Sequence, residues 1–205
     1  MDNKLGVEEA RTRLIYGLSL VTGFKYLKSG VLKKKIQDIE FEVNFFSSKW
    51  NTTGETVEIM AELSLIYKKY GKLPIDNVVA FISYQPTSGY WYDISTESKL
   101  LDTMKILEES LRDTAIDLVS RFEADYTAAV QYLFLTGFEK YHVHLDFVAD
   151  VLGQTAIEDK AQQIYDELTN DEKEQVAQYQ NGARNKPWMI NRCNLKYIAD
   201  NNLFQ

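Results

Sequence analysis

The sequence predicts an α+β fold: a largely antiparallel sheet laid out as a meander, covered by helices on one face and followed by a C-terminal helical region. Three observations carry this. Residues 39–45 set Ile39, Phe41, Val43 and Phe45 on one side and Glu40, Glu42 and Asn44 on the other, because successive strand side chains point to opposite faces. Residues 57–65 repeat the alternation, with Val57, Ile59, Ala61, Leu63 and Leu65 against Glu58, Met60, Glu62 and Ser64. Residues 100–122 carry Leu100, Met104, Leu107, Leu111, Ala115, Leu118 and Phe122 at helical spacing, a stripe suited to covering a sheet. Such alternation marks a sheet with one face on a core and the other open to water or a partner. The polar face is therefore where the sheet offers function.

Each element has its own signal. Ala10, Leu14, Ile15, Leu18 and Val21 recur at three- and four-residue steps before Gly23, which predicts a first helix over 7–22 with a left-handed stop. Residues 24–28 and 31–36 flank Ser29-Gly30 and read as a Lys-rich edge hairpin. Gln37-Asp38 leads into the third strand, and the polar stretch 51–54 turns the chain into the fourth. Residues 78–84, rich in Val, Phe and Ile, read as a further strand, and 90–94 as its partner in a second hairpin with an aromatic tip. Ser95 or Thr96 can cap the long helix that follows. A break near 123–125 precedes a helix ending at Gly137, and three more helices are expected over 138–152, 156–168 and 171–180. Thr169 and Glu172 stand at capping-box spacing before the last of these. Pro187 can open a terminal helix carrying Trp188, Cys193, Leu195 and Ile198. The division expected is a sheet domain over 1–137 and a helical region over 138–205 packed on it.

Composition narrows the function classes. A hydrophobic share of 45% with 26% charged residues describes a folded globular chain. The formal charge of −7 and pI near 5.0 argue against nucleic-acid binding, which leans on clustered Lys and Arg. The basic stretch from Lys25 and Lys28 to Lys33, Lys34 and Lys35 is read as edge protection. One cysteine, Cys193, allows no intrachain disulfide. Residues 1–10 lack the apolar core of a signal peptide, and no apolar run reaches membrane-span length. The expectation is a cytoplasmic protein with neither membrane nor cofactor.

With the first helix, Gly23-Phe24-Lys25, the basic hairpin and the strand end Ser48-Lys49-Trp50-Asn51 placed, residues 14–138 resemble an uncharacterised bacterial family classed as a domain of unknown function. The resemblance rests on turn and strand chemistry and supplies no catalytic residues. Relatives of this kind are held to act as immunity or accessory proteins beside bacterial toxins, which implies a binding role.

Catalytic and metal chemistry find little footing. His142, His144 and Asp146 would share a face on a strand and offer a metal two imidazoles and a carboxylate. The spacing of Phe138, Tyr141, Leu145, Val148 and Leu152 instead predicts a helix, on which residues two apart diverge, so no metal site is expected. Cys193 has no motif around it, and no glycine-rich phosphate loop is present. Glu40, Glu42, Glu58 and Glu62 could set paired carboxylates on one face, as a hydrolase needs, but cross-strand ion pairs to Lys33 and Lys35 are the simpler reading. The function expected is binding of another macromolecule, a protein, with the hydrolase as alternative. The binding residues expected are Glu40 and Glu42 on the polar face, Trp50, and the aromatic cluster Tyr84, Tyr90, Trp91 and Tyr92. Tyr and Trp bring large contact area with a polar handle. Alternation would bury either Trp91 or its two neighbours, so the interface is assigned to Tyr90 and Tyr92, while the rings could instead close one end of the core.

Overall fold

The first helix, α1 (Val7–Thr22), buries Ala10, Leu14, Ile15 and Leu18, the one-sided stripe that its three- and four-residue spacing dictates. It stops at Gly23, whose φ of 69° lets its N–H reach the Ser19 carbonyl. The computed structural model describes residues 3–71, 77–87, 89–183 and 194–204. Beyond Gly23 the expected hairpin forms from β1 (Lys25–Leu27) and β2 (Val31–Ile36), with Tyr26 opposite Leu32. Gly30, at φ 79°, is required twice over. It takes a left-handed turn conformation, and a Cβ there would fall 2.3 Å from the Arg11 guanidinium, which donates to the Ser29, Gly30 and Phe45 carbonyls and ties α1 to this end of the sheet.

The centre of the sheet is β3 (Ile39–Ser47) against β4 (Glu58–Tyr67). Phe41 faces Leu65, Val43 faces Leu63 and Phe45 faces Ala61, and all six are buried, so the alternating pattern becomes one covered face as expected. β5 (Val78–Tyr84) adds to the other edge of β4, with Ile82 opposite Leu63 and Tyr84 opposite Ala61.

The expected second hairpin does not form. β6 (Tyr92–Asp93) pairs with β4, placing Tyr92 opposite Ile59 and Asp93 opposite Glu58. β5 and β6 thus run in the same direction along the same edge of β4, and residues 85–87 and 89–91 lie off the ladder, in an excursion between two stretches of one strand line. β4 is long enough to template both, and the Ile94 N–H continues the ladder to the Val57 carbonyl at 2.7 Å.

The cover of the buried face starts at Thr96, which caps α2 (Glu97–Leu111) by accepting from the Lys99 N–H. A π-helical turn (Arg112–Ile116) joins it to α3 (Asp117–Ala124). Leu100, Leu107, Leu111, Ala115, Leu118 and Phe122 are all buried along this run, and Phe122 meets Phe41 edge to face at 5.6 Å. Met104 packs against α1 over Gly17, where a Cβ would come within 2.7 Å of it. The break expected near 123–125 is present, and the Asp125 carboxylate caps α4 (Tyr126–Leu135).

Residues 138–152 correct the helix expected there. Only α5 (Leu145–Leu152) is helical. Ahead of it, Phe81 donates its N–H to the Tyr141 carbonyl (2.7 Å) and His144 donates its own to the Val79 carbonyl (2.9 Å). The segment therefore covers the outer edge of β5, satisfying backbone groups that an open edge would leave exposed. Burial alternates along it, with Tyr141, Val143 and Leu145 inside. The same apolar residues fit a strand-like period as well as a helical one.

After a 3₁₀ turn (Gln154–Ile157) come α6 (Glu158–Asp166), α7 (Asn170–Gln180) and α8 (Asn194–Asn201). Thr169 and Glu172 form the capping box that their spacing predicts. Pro187, Trp188 and Cys193 lie outside the described residues. Asn194 ties α8 to the bracket over β5, donating to the Val143 carbonyl (3.0 Å) and accepting from the Leu145 N–H (2.8 Å). One buried cluster runs from Leu5 through the sheet to Phe147, Ile157 and Ile198, so residues on both sides of position 137 share a core.

Candidate functional site

Strand register sets out the open face in rows. Phe46 lies opposite Met60. The next row joins Val31, Asn44, Glu62 and Ser83, and the next Lys33, Glu42, Ser64 and Phe81. Beyond them Lys35 faces Glu40, which faces Ile66.

Glu40 and Glu42 stand where the alternation predicted, but neither is offered freely. Lys33 Nζ bridges them, at 2.6 Å from Glu40 and 2.5 Å from Glu42, and Lys68 takes the second Glu40 oxygen at 2.9 Å. Glu40 is 6% exposed. Burial raises its carboxyl pKa, while the hydrogen bonds and charges of Lys33 and Lys68 outweigh that and hold it below the ordinary range. A carboxylate so held is ionised near neutrality and gives up no proton as a general acid. At the far end of the face, burial likewise raises Asp93, and hydrogen bonds from Lys99 and Ser95 bring it below its usual value.

The aromatic residues separate into two groups. Tyr84 and Tyr92 are each 5% exposed, which corrects the binding role expected for both. Their β4 partners, Ala61 and Ile59, belong to the covered face, so register with β4 turns both rings into the core. Tyr84 Oη lies 2.6 Å from Thr114 Oγ1 in the π-helical turn. Tyr90, in the excursion, is 69% exposed, and Trp50 is 74% exposed; Trp91 is half-buried.

Trp50 is held out by its neighbours. Ser48 accepts the Trp50 N–H on its hydroxyl. Asn51 donates to the Glu58 carbonyl (2.9 Å) and accepts the Glu58 N–H (2.8 Å). The Thr52–Thr56 bridge and Gly54 at φ 79° close the loop. In Ser48-Lys49-Trp50-Asn51 the outer residues thus do structural work and the inner two are presented, Lys49 Nζ lying 4.9 Å from the Trp50 ring centre.

Trp50 follows the end of β3 and Tyr90 precedes β6, so both belong to the sheet end where the Phe46–Met60 row and, beyond it, the Glu58–Asp93 row close the open face. Phe46 is 44% exposed. It was not among the residues singled out from the sequence, although Phe45-Phe46 carries the signal: alternation that buries Phe45 must put Phe46 outside. Glu62 was weighed only as one carboxylate among several, and its place at the centre of the face emerges from the three-strand register.

The two histidines line one cavity of about 240 Å³ with Phe81, Glu139 and Asn194. His142 takes φ 42° and stacks on Phe81 at 4.8 Å. Among the described residues no group of three or more His, Cys, Asp or Glu is arranged to hold a metal ion, and no helix is long and apolar enough to cross a membrane. Compared with known proteins, the chain matches no family model, no curated protein and no solved structure.

Proposed function

We propose that this protein acts by binding another protein through the open sheet face and its aromatic end, with Trp50, Tyr90 and Phe46 as anchors. The observation that carries this reading is the presentation of Trp50: a ring 74% exposed on a loop fixed by the reciprocal Asn51–Glu58 hydrogen bonds. An exposed indole would be energetically idle in a free protein, whereas a preorganised Trp at a surface is the residue type most enriched in binding hot spots. The net charge of −7 favours a basic partner by electrostatic steering. The ion-paired state of Glu40 supports binding over hydrolysis. In this reading the protein is cytoplasmic, and its resemblance to the bacterial family of unknown function makes a toxin or toxin-associated protein the partner to seek.

A photo-crosslinking amino acid at position 50, compared with the same group at Glu174 on α7, tests the proposal in the source cells. One protein species captured at position 50 and absent at 174, with capture reduced by Tyr90→Ser, is the expected result. Equal labelling from both positions, or capture indifferent to Tyr90, overturns it.

A further inference from the structure

Glu62 sits in the middle of the open face, on the central strand β4, between Asn44 on one side and Ser83 on the other. Its carboxylate is half-buried. The hydroxyl of Ser64 donates to Oε1 at 3.1 Å and that of Ser83 to Oε2 at 3.4 Å. The other two glutamates at the heart of this face have their cations, Lys33 for Glu42 and Lys33 with Lys68 for Glu40. Among the described residues no Lys or Arg forms an ion pair with Glu62.

A partly desolvated carboxylate held by two neutral donors at long distance is incompletely compensated, because hydroxyl hydrogen bonds at that length replace little of the lost hydration. The serines nonetheless fix its orientation, one on each oxygen. The neighbouring row supplies apolar surface, with Met60 two residues before Glu62 on the same side of β4 and Phe46 opposite Met60. A charged acceptor of fixed orientation beside an exposed aromatic ring is the complement of a guanidinium. That group is planar, can place two N–H donors on one carboxylate and can lie against a ring face, which an ammonium cannot do in the same way.

We infer that Glu62 receives an arginine side chain of the partner protein, with Phe46 and Met60 flanking it. This rests on the protein-binding reading above and specifies its chemistry at one residue. The carboxylate would then be the charge that sets register on the face, and the exposed rings the source of contact area.

The test uses a defined probe. ¹⁵N-labelled protein is titrated with N-acetyl-arginine amide, and in parallel with N-acetyl-glutamine amide. The expected result is a saturable shift of the Asn44, Glu62, Ser64 and Ser83 amide resonances with the arginine compound only, weakened about tenfold by Glu62→Gln, the loss of one charge-assisted contact. Shifts no larger than those from the glutamine compound, or a response unchanged in Glu62→Gln, overturn the inference. The wild-type comparison between the two probes decides the matter even if the variant folds poorly. The Tyr90→Ser protein should keep the arginine response while its capture of the partner from the crosslinker at position 50 falls, so failure at Glu62 and failure of the protein-binding reading give different results.

Discussion

Asn51 and Glu58 are joined by a reciprocal pair of hydrogen bonds, the Asn51 amide donating to the Glu58 carbonyl at 2.9 Å and its carbonyl accepting the Glu58 N–H at 2.8 Å. One side chain thereby does what a strand partner would do, at the point where β3 has ended and β4 has just begun. Trp50 is adjacent to this clamp, so its position depends on Asn51. Asn51→Ala should cost about 1–3 kcal/mol, since it removes two bonds and leaves the Glu58 N–H to find water, while the Glu58 carbonyl keeps the Ser48 N–H at 3.1 Å. Urea unfolding measures the cost. The ¹H–¹⁵N NOE of the Trp50 indole should fall in the same variant; an unchanged value would mean that the loop is held by other contacts.

Glu40 ties the sheet face together through Lys33 and Lys68, and its depressed pKa makes that tie dependent on pH. Burial opposes ionisation and the two lysines more than offset it, leaving the folded-state value below the ordinary 4.5. The folded protein therefore binds the proton less readily than the unfolded chain, and the stabilisation is complete above the ordinary value. It is lost as pH falls below 4.5 and through the folded-state value. Glu40→Gln should cost ~1–2 kcal/mol at neutral pH, discounted from a fully buried pair because both lysines keep solvent contact. The gap between wild type and variant should shrink on acidification. A gap independent of pH would show that packing, and not charge, is what the substitution removes.

The buried pair Tyr84 and Thr114 has a definite direction. Thr114 gives its single hydroxyl proton to the Ser110 carbonyl at 2.6 Å, so Tyr84 is the donor in the 2.6 Å contact between them. Thr114→Val then leaves a buried phenol without an acceptor, which costs ~1–3 kcal/mol, whereas Tyr84→Phe removes the donor and should cost nearer ~1 kcal/mol. The double variant should cost less than the sum of the two, and a double-mutant cycle by urea unfolding measures that coupling. Simple additivity would mean that the hydroxyls do not depend on each other.

What was legible in the sequence was local. The α1 stripe, the Gly23 stop and the alternation of β3 and β4 each arise from residues a few positions apart, and one-sided burial leaves a period that can be read directly. The pairing of β6 was not legible, because Pro86 and Gly89 announce a turn without saying which strand the chain returns to. The partner, β4, lies some thirty residues upstream, and it draws both β5 and β6 to one edge. Residues 138–144 failed for a different reason. Tyr141, Val143 and Leu145 satisfy the strand period while Phe138, Tyr141 and Leu145 satisfy the helical one, and the free edge of β5 decides between them. At the candidate site, the Lys33 pairing of Glu40 and Glu42 follows from cross-strand reasoning. The central place of Glu62 required the register of three strands at once.

The division of the aromatic cluster gives the sharpest check on the structure around the site. Tyr92 lies opposite Ile59 and is 5% exposed, while Tyr90, two residues earlier, is 69% exposed. In an ordinary strand those two side chains would share a face. They do not share an environment, because the strand line begins only at Tyr92, after the excursion has ended. Tyr92→Ser should therefore cost ~3 kcal/mol or more, as loss of a buried ring leaves a cavity and a polar group in the core. Tyr90→Ser should change stability by less than ~0.5 kcal/mol, as is usual for exposed positions, and Trp50→Ser should do the same. Thermal and urea unfolding of the three variants measure the contrast directly. Equal costs at 90 and 92 would mean that β6 extends through both residues and that the excursion ends before Tyr90, which would remove Tyr90 from the proposed binding surface.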